Sequence, residues 1–262
     1  MIGSQLGLGL GVDPPAPPDG VRLLLGDVGE ALELAEGVAL VHADPPWSYR
    51  SAPARDQTGD RNRAAITYDC ASMAEVALVV EAAFEAAAPD CYLVLWSTFP
   101  TLREWFQASA GLSWRYLSGG AWLKYRRAGP GPEVTLGTPG IGFHWRGDVE
   151  PLLLYCKGKP RPFSTVRNAH VGIDPAAALD ELLVGVEARG RHSEKPLAFL
   201  QRLVEGFAEP GGEVLDLYSG LAPLARVCAR AGRRYLGAEI DPERHAAALS
   251  LLAQDRNQWG AL

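Results

Sequence analysis

Val38-Ala39-Leu40-Val41-His42-Ala43-Asp44-Pro45-Pro46-Trp47 is the stretch on which the reading of the whole chain turns. Its first six residues form a short apolar run that stops abruptly at an acid and two prolines, so they predict a buried β-strand with Asp44 at its carboxyl end. In an open α/β sheet ligands bind outside that edge, because loops leaving the strand tips converge there on a rigid frame. Two prolines fix φ and remove two backbone donors. That leaves the Asp44 carboxylate and the proline carbonyls as acceptors, followed by the flat ring of Trp47. Such a set suits a planar ring that carries an amino group.

A second stretch, far downstream, supplies the other half of a site. Glu213-Val214-Leu215-Asp216-Leu217 predicts a strand, Ser219-Gly220 a turn, Pro223 the start of a helix to about Ala231, and Arg234 to Glu239 the next strand. Strand, glycine turn, helix, strand and acid form the nucleotide-binding βαβ order. The glycine lets the backbone approach the ligand, and the acid at the second strand tip accepts from the ribose hydroxyls. A dinucleotide is one ligand for such a unit, but the start of the helix lacks the glycine spacing of a pyrophosphate site.

Asp44-Pro45-Pro46-Trp47 followed by Leu215-Asp216-Leu217-Tyr218-Ser219-Gly220 resembles the S-adenosylmethionine-dependent amino-methyltransferases of the beta order. Within them the chain is most similar to the messenger-RNA adenosine methyltransferase family and its bacterial and phage relatives, from about Val21 to Ala253. The resemblance implies an α/β, doubly wound, Rossmann-like methyltransferase sheet, permuted so that the catalytic motif precedes the cofactor motif. It implies S-adenosylmethionine as cofactor and the exocyclic amine of adenine in nucleic acid, DNA ahead of RNA, as target. Cytosine's amine is an alternative target, and a noncatalytic nucleic-acid-binding subunit an alternative role. Asp44, Pro45, Pro46 and Trp47 are then the catalytic residues, with Trp47 stacking on an unpaired or flipped-out base. Asp27, Lys195, Asp216, Tyr218, Ser219, Gly220 and Glu239 fall to the cofactor, Lys195 from the family's Ser/His-x-Lys-Pro element reaching its carboxylate. Relatives often carry a second glycine where this chain has Ala222; alanine is tolerated there if its φ is negative.

With 262 residues the chain accommodates one α/β domain, 21–262, behind a flexible arm at 1–20 that holds five glycines and five prolines. Val21 to Gly26 reads as a strand, Val28 to Ala35 as a helix and Cys91 to Ser97 as a buried strand. Ser72 with Glu75 and Thr101 with Glu104 read as capping boxes, the first for a helix to about Ala88. Trp114 to Lys124 suggests two strand pieces around Gly119-Gly120, and Ala176 to Glu187 holds a further strand candidate. The four cysteines are too widely spaced for a zinc knuckle, so neither metal nor disulfide is expected. Without a leader or an apolar run long enough to cross a bilayer, the expected setting is the cytoplasm, with no membrane partner; a homodimer or partner subunit is open.

The net charge of -6 excludes a surface coated in basic residues, so nucleic-acid contacts must be local. Three segments qualify. Insertions near 48–67 and 125–146 carry Arg50 and Arg55, and Arg126 and Arg127 just after Lys124; loops of that length are uncommon unless functional. The third holds Lys157 and Lys159 in an acid-free run to Arg167. These seven residues are the candidate phosphate contacts.

Overall fold

The computed structural model describes residues 16–47, 71–123, 125–127, 134–136, 149–171 and 195–259. Strand β1, Val21–Leu25, leads into helix α1, Val28–Leu34, whose N-terminus is capped by Asp27 accepting from the Gly29 amide at 2.8 Å. Strand β2, Val38–Ala43, is the apolar run before Asp44, and all of it except Ala39 is buried, as a central parallel strand requires. Helix α2, Met73–Ala86, opens with the capping box of Ser72 and Glu75: the Glu75 amide donates to Ser72 Oγ at 3.3 Å and the Ser72 amide to Glu75 Oε2 at 2.7 Å.

Strand β3, Ala87–Trp96, starts ahead of Cys91 because Val38 already pairs with Ala87 across a register shift. Helix α3, Leu102–Ala108, tightens into a 3₁₀ turn at Ser109–Gly111. Thr101 does not cap it. Its backbone is already helical, at φ -94° and ψ -14°, and its hydroxyl donates to the Thr98 carbonyl at 2.9 Å.

Strand β4, Arg115–Leu123, runs unbroken through Gly119-Gly120 rather than as two pieces, with the irregularity absorbed between Tyr116 and Ser118. The 125–146 insertion is not wholly loop, since β5, Tyr125–Arg127, and β6, Val134–Leu136, pair antiparallel. Then follow β7, Val149–Lys157; β8, Ala169–Val171; α4, Leu197–Phe207; β9, Glu213–Asp216; α5, Pro223–Ala231; β10, Arg234–Glu239; and α6, Pro242–Trp259. Residues 1–15 of the arm, the 48–67 insertion and the 176–187 strand candidate lie outside the described residues.

Eight strands form one sheet in the order β1-β10-β9-β2-β3-β7-β4-β8. All run parallel except β7, which is antiparallel to β3 and β4. Helices α4, α5 and α6 cover one face through Leu200, Leu224 and Leu252; α1, α2 and α3 cover the other through Ala31, Val80 and Trp105. The sheet is thus doubly wound, in agreement with the sequence. From β9 the chain winds outward to β10, and from β2 it winds the opposite way to β3, so the β9–β2 boundary is the switch point. A crevice opens there at the carboxyl ends of the strands. No helix among the described residues is long and apolar enough to cross a membrane.

Candidate active site

Asp44 leaves the tip of β2 at this crevice. Its Oδ2 lies 2.6 Å from Nζ of Lys195, which also lies 3.3 Å from Glu150 Oε2 and 4.9 Å from the centroid of the Trp96 ring. Lys195 directly precedes the Pro196 cap of α4, and antiparallel β7 brings Glu150 to the same edge, one position before Pro151, whose carbonyl receives the Ser97 amide. Burial alone would lower the Lys195 ammonium, but two carboxylates reverse the effect and hold it above the ordinary lysine value. Burial raises the Asp44 carboxyl above its ordinary value, against the pull of Lys195. The sequence assigned Lys195 to a cofactor carboxylate; the fold instead directs its charge to Asp44 and Glu150.

The Pro45 carbonyl accepts from the Trp47 amide at 2.8 Å, and the Pro46 carbonyl from the Ala71 amide at 2.9 Å. A carbonyl has two lone pairs, so Pro45 keeps one for a further donor. Trp47 does not offer an open stacking face. It is 4% exposed, its indole N–H donates to the Trp96 carbonyl at 3.2 Å, and its ring meets Trp105 edge-on at 5.8 Å. A large ring at a strand tip gains more from the core than from solvent, and here it clamps the loop.

On the other side of the crevice, Glu239 ends β10. It is 8% exposed, its Oε1 accepts from the Asp241 amide at 2.9 Å and its carboxylate from the Gly220 amide, and burial raises its carboxyl above the usual value. Asp27 caps α1 beside this tip, where the Gly26 amide donates to the Glu239 carbonyl at 3.1 Å. The Tyr218 hydroxyl is raised by burial and by the charges of Asp27 and Glu75. Gly220 has φ +55° and nothing within 4 Å of where a Cβ would stand, so open space faces the turn. Ala222 departs from expectation: its φ is +51°, not negative, and it is the left-handed cap of α5. Asp216 also turns inward. It is 1% exposed, with Oδ1 2.8 Å from His42 Nδ1 and Oδ2 3.1 Å from the Tyr235 hydroxyl, which in turn lies 2.8 Å from Ser219 Oγ. Its carboxylate therefore orders the protein interior.

Two of the candidate phosphate contacts sit in the wrong place. Lys157 pairs in register with Cys91, at the opposite end of β3 from Trp96, and its ammonium donates to the Phe84 and Ala87 carbonyls at 2.7 and 2.9 Å. It caps the C-terminus of α2. Lys159 follows at that far edge, its amide donating to Asp90 Oδ1 at 2.6 Å. Arg126 and Arg127 lie on β5; Arg50, Arg55 and Lys124 lie outside the described residues. The sequence reading left His42, Trp96, Glu150 and Tyr235 out of the site. Only the Glu before an apolar strand carried a usable signal, because it stands at the start of β7 as the family's does.

Residues 145–250 match the family model N6_N4_Mtase, described as DNA methylase. The matched part runs from β7 through most of α6, so it includes Glu150, Lys195 and the whole βαβ unit of the cofactor side. YubD of Escherichia coli (strain K12), which carries the name putative methylase, is 35% identical over 91 residues; the match spans 33% of this chain and 40% of that relative's length. Among solved structures, the M1.HpyAVI complex with SAM superposes with a TM-score of 0.61 at 15% identity, over 90% of this chain and 99% of that one. TTHA0409 of Thermus thermophilus, named a DNA modification methylase and solved with S-adenosyl-L-methionine, gives 0.56 at 22% over 89% and 93%. The cytosine-N4-specific PvuII DNA methyltransferase gives 0.57 at 14% over 94% and 96%. The α/β fold of this chain is the fold of these methyltransferases.

Proposed function

We propose that the chain is an S-adenosylmethionine-dependent methyltransferase acting on the exocyclic amine of a nucleic-acid base, adenine ahead of cytosine and DNA ahead of RNA. The observation that carries this reading is the convergence at one crevice of the Asp44-Pro45-Pro46 acceptors with the Ser219-Gly220 turn and the Glu239 carboxylate. The residues fit the cofactor. Glu239 would hold the ribose hydroxyls, Gly220 leaves open space beside the turn, and Asp27 and Tyr218 lie beside the same strand tips. When bound, S-adenosylmethionine supplies an electrophilic methyl group. DNA is preferred over RNA because the matching family is described as DNA methylase. In this reading the catalytic element precedes the cofactor element, the permuted order.

The chain's own part in the reaction is to accept and orient. An exocyclic amine is a poor nucleophile because its lone pair is conjugated with the ring. Hydrogen bonds from the amine to the Asp44 carboxylate and the Pro45 carbonyl favour a pyramidal nitrogen with its lone pair free to attack in line, and fixed positioning supplies much of the acceleration. The Lys195 charge keeps the partly buried Asp44 ionised and thus an acceptor. The likeness to a cytosine-N4 enzyme favours cytosine's amine as the second reading. Incubating the purified protein with labelled cofactor and single- and double-stranded DNA and RNA, then digesting and identifying the methylated nucleoside, tests both. N6-methyladenosine from RNA alone would overturn the DNA preference, and no labelled nucleoside from any substrate would overturn the reading.

A further inference from the structure

A continuous chain of buried hydrogen bonds ties the two sides of the crevice together. The Trp96 indole N–H donates to His42 Nε2 at 2.9 Å, His42 Nδ1 lies 2.8 Å from Asp216 Oδ1, Asp216 Oδ2 lies 3.1 Å from the Tyr235 hydroxyl, and that hydroxyl lies 2.8 Å from Ser219 Oγ. The chain crosses β3, β2, β9 and β10, and each of its five members is at most 5% exposed. An indole N–H can only donate, so Nε2 of His42 must be bare. The proton then sits on Nδ1 and is given to Asp216. The tyrosine hydroxyl has one proton, so it donates to one neighbour and accepts from the other.

Each end of this chain touches one half of the site. Ser219 is in the cofactor-side turn, next to Gly220. Trp96 carries Lys195 on its ring face and Trp47 on its carbonyl, the two groups that hold Asp44 and its loop. His42 stands between, paired in register with Asp216 and two residues before Asp44. We infer that His42, as its neutral Nδ1–H tautomer, is a positioning residue that sets the amine acceptor at Asp44 against the cofactor turn at Ser219-Gly220. This rests on the methyltransferase reading. It assigns the two nitrogens separate tasks: Nδ1 steadies the cofactor side through Asp216, and Nε2 steadies the target side through Trp96.

The two tasks separate by substitution. His42→Asn keeps a donor close to the Nδ1 position but loses the acceptor for Trp96, Trp96→Phe removes the indole donor while keeping a ring beneath Lys195, and His42→Phe removes both links. Cofactor affinity is measured by calorimetry, and the single-turnover methyl-transfer rate is measured at saturating cofactor and DNA, below the melting temperature of each variant. His42→Asn and Trp96→Phe should bind cofactor within about threefold of wild type yet transfer roughly ten- to a hundredfold more slowly, as a displacement of about 1 Å at the reacting atoms does. His42→Phe should also lose roughly tenfold in cofactor affinity, because Asp216 is left buried without its donor. Nitrogen-15 spectra, tractable with five histidines in the chain, should show the Nδ1–H tautomer in the wild type and its loss of definition in Trp96→Phe. Unchanged transfer rates with only a lowered melting temperature would make the network merely structural and overturn the inference, as would an Nε2–H tautomer in the wild type. Should the wild type transfer no methyl group, the methyltransferase reading fails. The His42→Asn and His42→Phe cofactor titrations then decide alone, and equal affinities overturn the inference.

Discussion

Lys195 shows how strongly one side chain can shape this site, because its ammonium sits between two carboxylates with little solvent around it. Lys195→Met would leave Asp44 and Glu150 facing each other without a counter-charge. Breaking a buried pair in this way costs about 3 kcal/mol near neutral pH. The sign with pH follows from the groups involved. Without Lys195 the Asp44 carboxyl, already raised by burial, rises further above its unfolded value. The variant is therefore most stable in acid, where the unfolded chain is also protonated, and loses stability as pH rises from the unfolded pKa. Denaturant titrations of variant and wild type at pH 5 and pH 8 should show the gap widening toward pH 8. Asp44→Asn keeps the shape but turns one acceptor into a donor opposed to the substrate amine. Methyl transfer should fall on the order of a hundredfold or more while calorimetry finds the cofactor still bound. Ala222 stores a small strain of its own. A left-handed alanine costs roughly 1 to 2 kcal/mol, partly offset by the extra unfolded-state freedom of glycine, so Ala222→Gly should stabilise the protein by about 0.5 to 1 kcal/mol in thermal or denaturant melts.

At the scale of elements, helix ends decide where basic residues go. The last carbonyls of α2 lack intrahelical partners, and Lys157 on β7 supplies two hydrogen bonds and a charge to that end, with its ammonium 4.5 Å from the Phe84 ring centroid. Lys157→Met should destabilise the protein by about 1 to 2 kcal/mol in urea titrations without altering DNA affinity. An effect on DNA binding comparable with that on stability would return Lys157 to the substrate surface. The capping box at Ser72 was readable because it depends on residues three apart in the chain. Lys157 was not, because its partners lie 73 and 70 positions away and only the antiparallel placement of β7 beside β3 brings them together.

For the whole molecule, an acidic chain that binds nucleic acid must concentrate its positive charge. With Lys157 and Lys159 at the far edge of the sheet, Arg126 and Arg127 on β5, together with Arg50, Arg55 and Lys124, remain the candidates. Replacing Arg126 and Arg127 with Ala should weaken binding across DNA sequences and make the slope of log affinity against log salt shallower by roughly 0.7 to 0.9 per lost contact, with cofactor binding unchanged. The Lys157→Met protein is the matched control, and an equal slope in both variants would remove the β5 segment from the substrate surface.

Local patterns determined the order of strands and helices around the two motifs, the β2 tip that ends in Asp44-Pro45-Pro46, and the βαβ unit from Glu213 to Glu239. These features rest on apolar runs, prolines and glycines that act within a few residues. The tertiary structure decided which buried polar groups face one another. Lys195 meets Asp44 and Glu150, His42 meets Asp216 and Trp96, and Trp47 turns into the core. Each of these contacts joins residues from separate strands or loops. A charge or an imidazole in sequence does not specify its partner; the sheet order does, by bringing β9 beside β2 and β7 beside β3.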